Sequence, residues 1–146
     1  MPESKVFTYQ TELSWMGARR GTVAAGDRPT LTIAPPEDFP GGDPIHWNPE
    51  HLFLASLSSC TMLSFLAHCA HNGVEVVSYR AEATGQLARR EEDRRYAFKR
   101  VTMVVTAVVA GGHSGLARTL TGKAERDCFI SASTNAELET AWRIVE

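Results

Sequence analysis

The chain has 146 residues, of which 43% are hydrophobic and 22% are charged, and its formal net charge at pH 7 is -2. This composition is typical of a soluble globular protein and excludes the strong positive charge of a nucleic-acid-binding protein. Three cysteines and an N-terminus without a signal-peptide pattern predict a cytoplasmic protein, and the length predicts a single domain over residues 1–146.

The first third of the chain carries short stretches of β-branched and aromatic residues. KVFTYQTELSW, GTVAAG and PTLTIA are separated by glycines and a proline, which predicts short strands joined by tight turns. We expect an antiparallel meander. The following stretch, APPEDFPGGDP at residues 34–44, contains four prolines and two glycines and is therefore predicted to be a loop.

A long helix is predicted from residue 49 to residue 71 or 72. Asn48 is a good N-cap, Pro49 suits the first helical position, and Glu50 complements the positive end of the helix dipole, while Gly73 is a stop signal. Residues 52–67 are uncharged, but this stretch is shorter than the ~20 residues that a spanning helix needs. We therefore expect a buried helix of a soluble protein, without a membrane partner.

The second half of the chain predicts a hairpin followed by a helix. VEVVSYRAEATGQLA and RYAFKRVTMVVTAVVA are rich in β-branched residues and flank the charged stretch REEDRR, which is typical of two long strands with a solvated tip. LARTLTGKAERDC has the spacing of a helix that ends near Cys128. The tail ELETAWRIVE is compatible with a strand or with a helical turn.

The three cysteines have different surroundings. Cys69 lies nine positions after Cys60 on the predicted helix and so points to about the opposite face, which excludes a disulfide between them within that helix. Cys69 is typical of a small buried hydrophobic residue. Cys60 and Cys128 lie in polar neighbourhoods, where a reactive and a structural role are equally compatible with the residues.

A family resemblance distinguishes these roles. NPEHLFLASLSSC, residues 48–60, resembles the segment that opens the central helix of the OsmC and organic hydroperoxide resistance (Ohr) family, in which Asn-Pro-Glu is followed ten residues after the Glu by the reactive cysteine. CFISASTN, residues 128–135, is similar to the segment around the second cysteine of the family. WMGARRG resembles the Gly-rich turn that carries a catalytic arginine, and Arg19 is the better match.

The resemblance implies a fold and an activity. The fold would be α+β, with an antiparallel sheet wrapping a long central helix in an intertwined homodimer. The activity would be thiol-dependent reduction of organic hydroperoxides through a Cys60 sulfenic acid and a Cys60–Cys128 disulfide. A dithiol, such as a lipoylated protein, would reduce that disulfide, and no cofactor or metal is implied. Arg19 would stabilise the Cys60 thiolate, and Glu50 would orient Arg19 through a bidentate pair.

Four apolar residues, which share the side of Cys60 or follow Cys128, would suit a bulky organic peroxide better than hydrogen peroxide. They are Phe53, Leu57, Leu63 and Phe129. Two points stay open. Arg20 is an alternative to Arg19, because GARRG departs from the family pattern. Glu50 lies about 15 Å from Cys60 along a straight helix, so either Arg19 spans part of the gap or the partner subunit supplies the glutamate.

Two other functions are compatible with parts of the sequence. A non-catalytic OsmC-fold protein that binds a small molecule or senses redox state would keep the same fold, because function belongs to the site. Metal binding by His68, Cys69 and His71 is disfavoured, because Cys69 diverges from both histidines on the helix and no further ligand completes a tetrahedral site.

Overall fold

The structure is a computed structural model that describes residues 4–146, and it divides the chain into two compact units. Residues up to Leu52 belong to the first unit, and residues from Phe53 onward belong to the second. Six strands and three helices lie within the described residues. The single domain over residues 1–146 stays a prediction.

The first unit contains a three-stranded antiparallel sheet, as the meander prediction requires. Its strands are, in order, β1 (Glu12–Gly17), β2 (Arg20–Ala24) and β3 (Leu31–Ile33). The turn between β1 and β2 places Gly17 and Ala18 at φ values of 100° and 49°, and the indole N–H of Trp15 donates to the Ala18 carbonyl at 2.8 Å. This tight turn presents Arg19 immediately before β2. Residues 34–44 form a loop, as predicted.

Helix α1 spans Pro49–His71, and both predicted ends are confirmed. The Asn48 side-chain oxygen accepts the backbone N–H of His51 at 2.8 Å, which satisfies one of the free donors of the first turn. Gly73 adopts a φ of 71°, and the N–H of Val74 reaches back to the Cys69 carbonyl at 2.9 Å. This is a Schellman ending, in which glycine takes the left-handed position without steric cost.

One face of α1 is buried, at a spacing of four residues: Leu57, Thr61, Phe65 and Cys69. The hydroxyls of Ser56 and Ser59 donate to carbonyls one turn back, at 2.7 and 2.6 Å, so these polar side chains cost the helix little. By length and composition alone α1 could also cross a membrane, a test that core helices of soluble proteins pass as well. A single buried stripe is the pattern of a core helix.

The second unit contains a three-stranded sheet in the order β4-β5-β6. Strands β4 (Val76–Arg89) and β5 (Tyr96–Val109) form the predicted antiparallel hairpin. The tail forms a strand, β6 (Glu137–Val145), and not a helical turn. β6 pairs parallel to β5, whereas an antiparallel sheet was expected. The reason is the connection, because α2 (Ser114–Arg126) and α3 (Phe129–Ala132) carry the chain back to the starting end of the sheet.

The main core of the second unit lies between α1, α2 and the sheet. Phe65 is fully buried, and its ring centroid lies 5.1 Å from that of Trp142 and 5.9 Å from that of Tyr79. Cys69 belongs to the same cluster and is 1% exposed. Burial raises the pKa of the Cys69 thiol, so this cysteine is the inert buried residue that its sequence position predicts.

Candidate active site

The structure brings Cys60 and Cys128 together, although they are 68 positions apart along the chain. Cys60 lies in the middle of α1 and is partly exposed, whereas Cys128 is the N-cap residue of α3 and is fully buried. Both thiols are reduced, and they lie close enough for each to shift the pKa of the other. Two sulfur atoms in this arrangement are close enough to exchange a proton and to be candidates for a disulfide.

Several donors surround the Cys128 sulfur. The backbone N–H of Ser131 donates to it at 3.5 Å, and the Thr61 hydroxyl lies 3.6 Å away. Burial raises the pKa of the Cys128 thiol, but hydrogen bonds from Ser131, Thr61 and Cys60 outweigh burial, and the pKa is lowered. This site therefore favours a thiolate at Cys128.

At Cys60 the groups that raise the pKa of the thiol outweigh those that lower it. Burial raises the pKa of its thiol, and the neighbouring Cys128 raises it further. Hydrogen bonds from the backbone N–H groups of Ile130 and Phe129 act in the other direction without cancelling the rise. Within the second unit, the thiolate is therefore disfavoured at Cys60 and favoured at Cys128.

An apolar cavity of about 350 Å³ opens beside Cys60. The α1 side chains that line it follow at helical spacing after Cys60, and Leu63 is one of them. Leu63 and Phe129 are 61% and 79% exposed, which leaves both available to a ligand. The lining residues are Cys60, Leu63, Ser64, Ala67, His68, Asp127 and Phe129.

The structure places the other two predicted substrate residues elsewhere. Leu57 is fully buried and packs on Val101 and Met103, because its side of α1 faces the sheet. Phe53 stacks on Phe98, with ring centroids 4.8 Å apart, and lines a different cavity of about 430 Å³. Of the four, only Leu63 and Phe129 line the cavity beside Cys60.

Arg19 and Glu50 lie together in the first unit, where both line a cavity of about 260 Å³. Arg19 donates to the Pro40 carbonyl at 3.0 Å. One carboxylate oxygen of Glu50 is buried and has no hydrogen-bond partner among residues 4–146. A buried unpaired carboxylate oxygen is costly and needs a cation or donor, and an arginine in the same cavity is a suitable one.

The neighbouring Arg20 is committed to another partner. Its guanidinium donates to Asp43 at 2.6 Å. Hydrogen bonds from His46 and from Arg20 hold the pKa of the Asp43 carboxyl well below its usual range. Of the two candidate arginines, Arg19 is therefore the one whose guanidinium is not held in an ion pair within the described chain.

His68 pairs with Asp127, with 2.8 Å between Nε2 and the carboxylate. Within residues 4–146 no group of three or more His, Cys, Asp or Glu side chains is close enough to hold a metal ion. Hydrogen bonds from Arg126 and then from His68 lower the pKa of the Asp127 carboxyl to about 2. Both residues of the pair line the apolar cavity beside Cys60.

Sequence reasoning missed Thr61 and Ser131, which donate to Cys128. The available signal for Thr61 was its hydroxyl on an otherwise apolar face of the helix, because a buried hydroxyl needs a hydrogen-bond partner. Ser131 follows Cys128 by three residues, which is the spacing of an N-cap contact.

The family model described as "OsmC-like protein" matches residues 41–143 of the chain. No curated protein sequence matches it. The fold is similar to that of an OsmC-like protein of unknown function from Vibrio cholerae, with a TM-score of 0.86 at 21% identity over 94% of this chain and 99% of that chain.

Two similar structures carry names that mention hydroperoxides. An organic hydroperoxide resistance protein from Elizabethkingia anophelis gives a TM-score of 0.73 at 19% identity, over 99% of both chains. The organic hydroperoxide resistance protein OhrB of Bacillus subtilis gives 0.62 at 19% identity, over 94% of this chain and 98% of that chain. At these identities the likeness shows the α+β fold.

Proposed function

Because the chain belongs to the OsmC-like protein family, we propose that it is a thiol-dependent peroxidase that reduces organic hydroperoxides to alcohols. The observation that carries this proposal is the contact between Cys60 and Cys128 at the wall of an apolar cavity. Such a pair supplies both thiols of a two-cysteine cycle, and the cavity suits the apolar body of an organic peroxide.

The proposed first step is attack by the Cys60 sulfur on the distal peroxide oxygen. A sulfur–oxygen bond forms, the oxygen–oxygen bond breaks, and the alcohol leaves with the thiol proton. Cys60 becomes a sulfenic acid. The Cys128 sulfur then attacks Cys60, the sulfur–oxygen bond breaks, and water leaves as the disulfide forms.

For activation of Cys60 we propose the roles that the family resemblance implies. Cys60 must be deprotonated to attack, whereas its surroundings in the second unit raise its pKa, so a cation is needed to favour its thiolate. Arg19 is the proposed cation and Glu50 its orienter. The shared cavity of Arg19 and Glu50 and the unpaired Glu50 oxygen support this pairing.

The proposed partners are an organic hydroperoxide, a dithiol reductant such as a lipoylated protein, and a second copy of the chain. Support for a homodimer comes from large apolar side chains near the N-terminus, which are between 67% and 86% exposed and need cover. They are Phe7, Tyr9, Leu13 and Trp15. A cytoplasmic setting is proposed because this cycle needs reduced thiols. Sedimentation of an active, stable monomer would contradict the dimer.

The second candidate is a protein of the same fold that senses redox state without turning over peroxide. One observation favours it, namely that the site raises the pKa of Cys60 and so withholds its thiolate at neutral pH. A sensor would form the Cys60–Cys128 disulfide slowly and with little preference among oxidants.

One experiment separates the two candidates. The reduced protein is mixed with one equivalent of cumene hydroperoxide, peroxide loss is followed, and the oxidised cysteines are mapped by mass spectrometry. Cys60→Ser is the inactive control, and Cys69→Ala removes a cysteine that lies outside the pair. Rapid loss with a Cys60–Cys128 disulfide in wild type and Cys69→Ala, but not in Cys60→Ser, supports the peroxidase. Persisting peroxide, or slow oxidation of all three thiols, contradicts it.

A further inference from the structure

The two sulfur atoms of the candidate site differ in access and in hydrogen bonding. Cys60 lines the apolar cavity, whereas Cys128 is fully buried and does not line it. An incoming reductant that follows the same cavity as the peroxide therefore meets the Cys60 sulfur first. Which sulfur of a disulfide is attacked depends on access and on which thiolate leaves more readily.

Hydrogen-bond donors around Cys128 stabilise a negative charge on its sulfur. Its sulfur receives the Ser131 backbone N–H at 3.5 Å as the N-cap group of α3. The buried Thr61 hydroxyl stands 3.6 Å from the same sulfur and 2.9 Å from the Leu57 carbonyl. A hydroxyl has a single proton, so Thr61 shares it between the Leu57 carbonyl and the Cys128 sulfur and can commit it to the sulfur when Cys128 becomes a thiolate.

From this asymmetry we propose that the dithiol reductant attacks Cys60 of the oxidised protein and that Cys128 leaves as the thiolate, received by Thr61 and Ser131. This inference rests on the proposed function and names the position of the mixed disulfide. The reductant thiolate forms a bond to the Cys60 sulfur while the Cys60–Cys128 bond breaks. The second thiol of the reductant then attacks its own bound sulfur, which frees Cys60 and closes the reductant disulfide.

The lowered pKa of Cys128 agrees with this direction, because a thiol of lower pKa is the better leaving group. The lowered pKa also favours the Cys128 thiolate after release, which is the form that attacks the next sulfenic acid at Cys60. Thr61 and Ser131 act through Cys128 and are positioning residues. The same cavity thus receives the peroxide first and the reductant second.

The position of attack is tested without peroxide. The Cys60–Cys128 disulfide is made with diamide and mixed with excess 2-mercaptoethanol. The mixture is quenched in acid after short times and alkylated with N-ethylmaleimide in denaturant, and the modified cysteines are mapped by mass spectrometry. We expect 2-mercaptoethanol on Cys60 and maleimide on Cys128, in excess over the reverse pattern by roughly tenfold or more, since access and leaving ability act together.

An equal distribution, or 2-mercaptoethanol mainly on Cys128, would overturn the inference. Because diamide replaces the peroxide, this result is independent of peroxidase activity. A protein that fails the cumene hydroperoxide test but gives the Cys60 adduct loses only the proposed function. If neither oxidant produces the Cys60–Cys128 disulfide, both proposals fail.

The role of Thr61 is tested with a matched pair of variants. Thr61→Val removes the hydroxyl at similar volume, and Thr61→Ser keeps it. We expect opening of the disulfide by 2-mercaptoethanol to slow by roughly threefold in Thr61→Val and to recover in Thr61→Ser. In the Cys60→Ser background, the thiolate absorbance of Cys128 at 240 nm should titrate at higher pH in Thr61→Val. Opening at the wild-type rate despite that raised pKa would exclude Thr61 from the step.

Discussion

Two leucines on the same helix offer a direct test of which face of α1 serves the substrate. Leu57 faces the core and has 0% of its surface accessible to solvent. Leu63 lines the cavity beside Cys60 and is 61% accessible. We predict that Leu57→Ala reduces stability with little effect on substrate preference, and that Leu63→Ala does the reverse. The two changes delete the same atoms, so each is the control for the other.

The magnitudes follow from the packing. Leu57 is fully buried in a cluster with Val101 and Met103, so its truncation should lower the free energy of unfolding by about 3 kcal/mol. Leu63 keeps about two fifths of its surface covered, and truncation there should cost less than about 1 kcal/mol. Loss of the Leu63 contact to a bulky peroxide should lower kcat/KM by about fivefold, which corresponds to about 1 kcal/mol.

The assay pairs urea unfolding with peroxidase kinetics on cumene hydroperoxide and hydrogen peroxide. For Leu63→Ala we expect the loss on cumene hydroperoxide only, because hydrogen peroxide has no apolar body to contact the cavity wall. The reasoning is refuted if Leu57→Ala selectively loses activity on cumene hydroperoxide at unchanged stability, or if Leu63→Ala unfolds as easily as Leu57→Ala.

The remaining predictions concern charged residues. Arg19→Lys should reduce peroxidase activity by about tenfold or more, because an ammonium cannot replace a bidentate guanidinium. Arg20→Lys keeps a cation beside Asp43 and should retain most activity. Equal losses for the two variants in the steady-state peroxide assay would reject the assignment to Arg19. The Asp127 carboxyl has its pKa lowered from 3.8 to about 2, so its contribution to stability is present above about pH 4 and is lost as the pH falls towards 2. The stability difference between wild type and Asp127→Asn, measured by thermal unfolding, should therefore shrink over that interval, and a difference that stays constant would show that the ion pair does not contribute.

Local signals in the sequence were sufficient for α1 and for the hairpin. Asn48, Pro49 and Gly73 determine the ends of the helix through contacts within a few residues of each end, and such contacts do not depend on the rest of the fold. The sequence did not determine whether the tail is a strand or a helical turn. The alternation of exposed and partly buried side chains along its nine-residue strand arises from its packing against β5. That pairing joins segments on either side of two helices and leaves no local pattern.

The same distinction between local signals and contacts between distant segments applies to the candidate site. On a helical wheel, Leu57 and Leu63 lie about 60° to either side of Cys60, so the sequence could not tell which would face the core. The position of β5 decides it, since Val101 and Met103 cover the side of Leu57. The pairing of Cys60 with Cys128 came from the family resemblance. The donors to Cys128 depend on the packing of α3 beside α1, which no local pattern in the sequence indicates.

The aromatic cluster around Phe65 also gives the molecule its own optical reporters. The chain has three tryptophans. Trp142 is the one in the second unit, where it packs on Phe65 and has a buried indole nitrogen. Trp15 and Trp47 belong to the first unit and are 79% and 46% exposed. Emission from an apolar cluster lies at shorter wavelength than emission from solvated indoles, so a shift of the spectrum to longer wavelength on heating reports the loss of this cluster without any added dye.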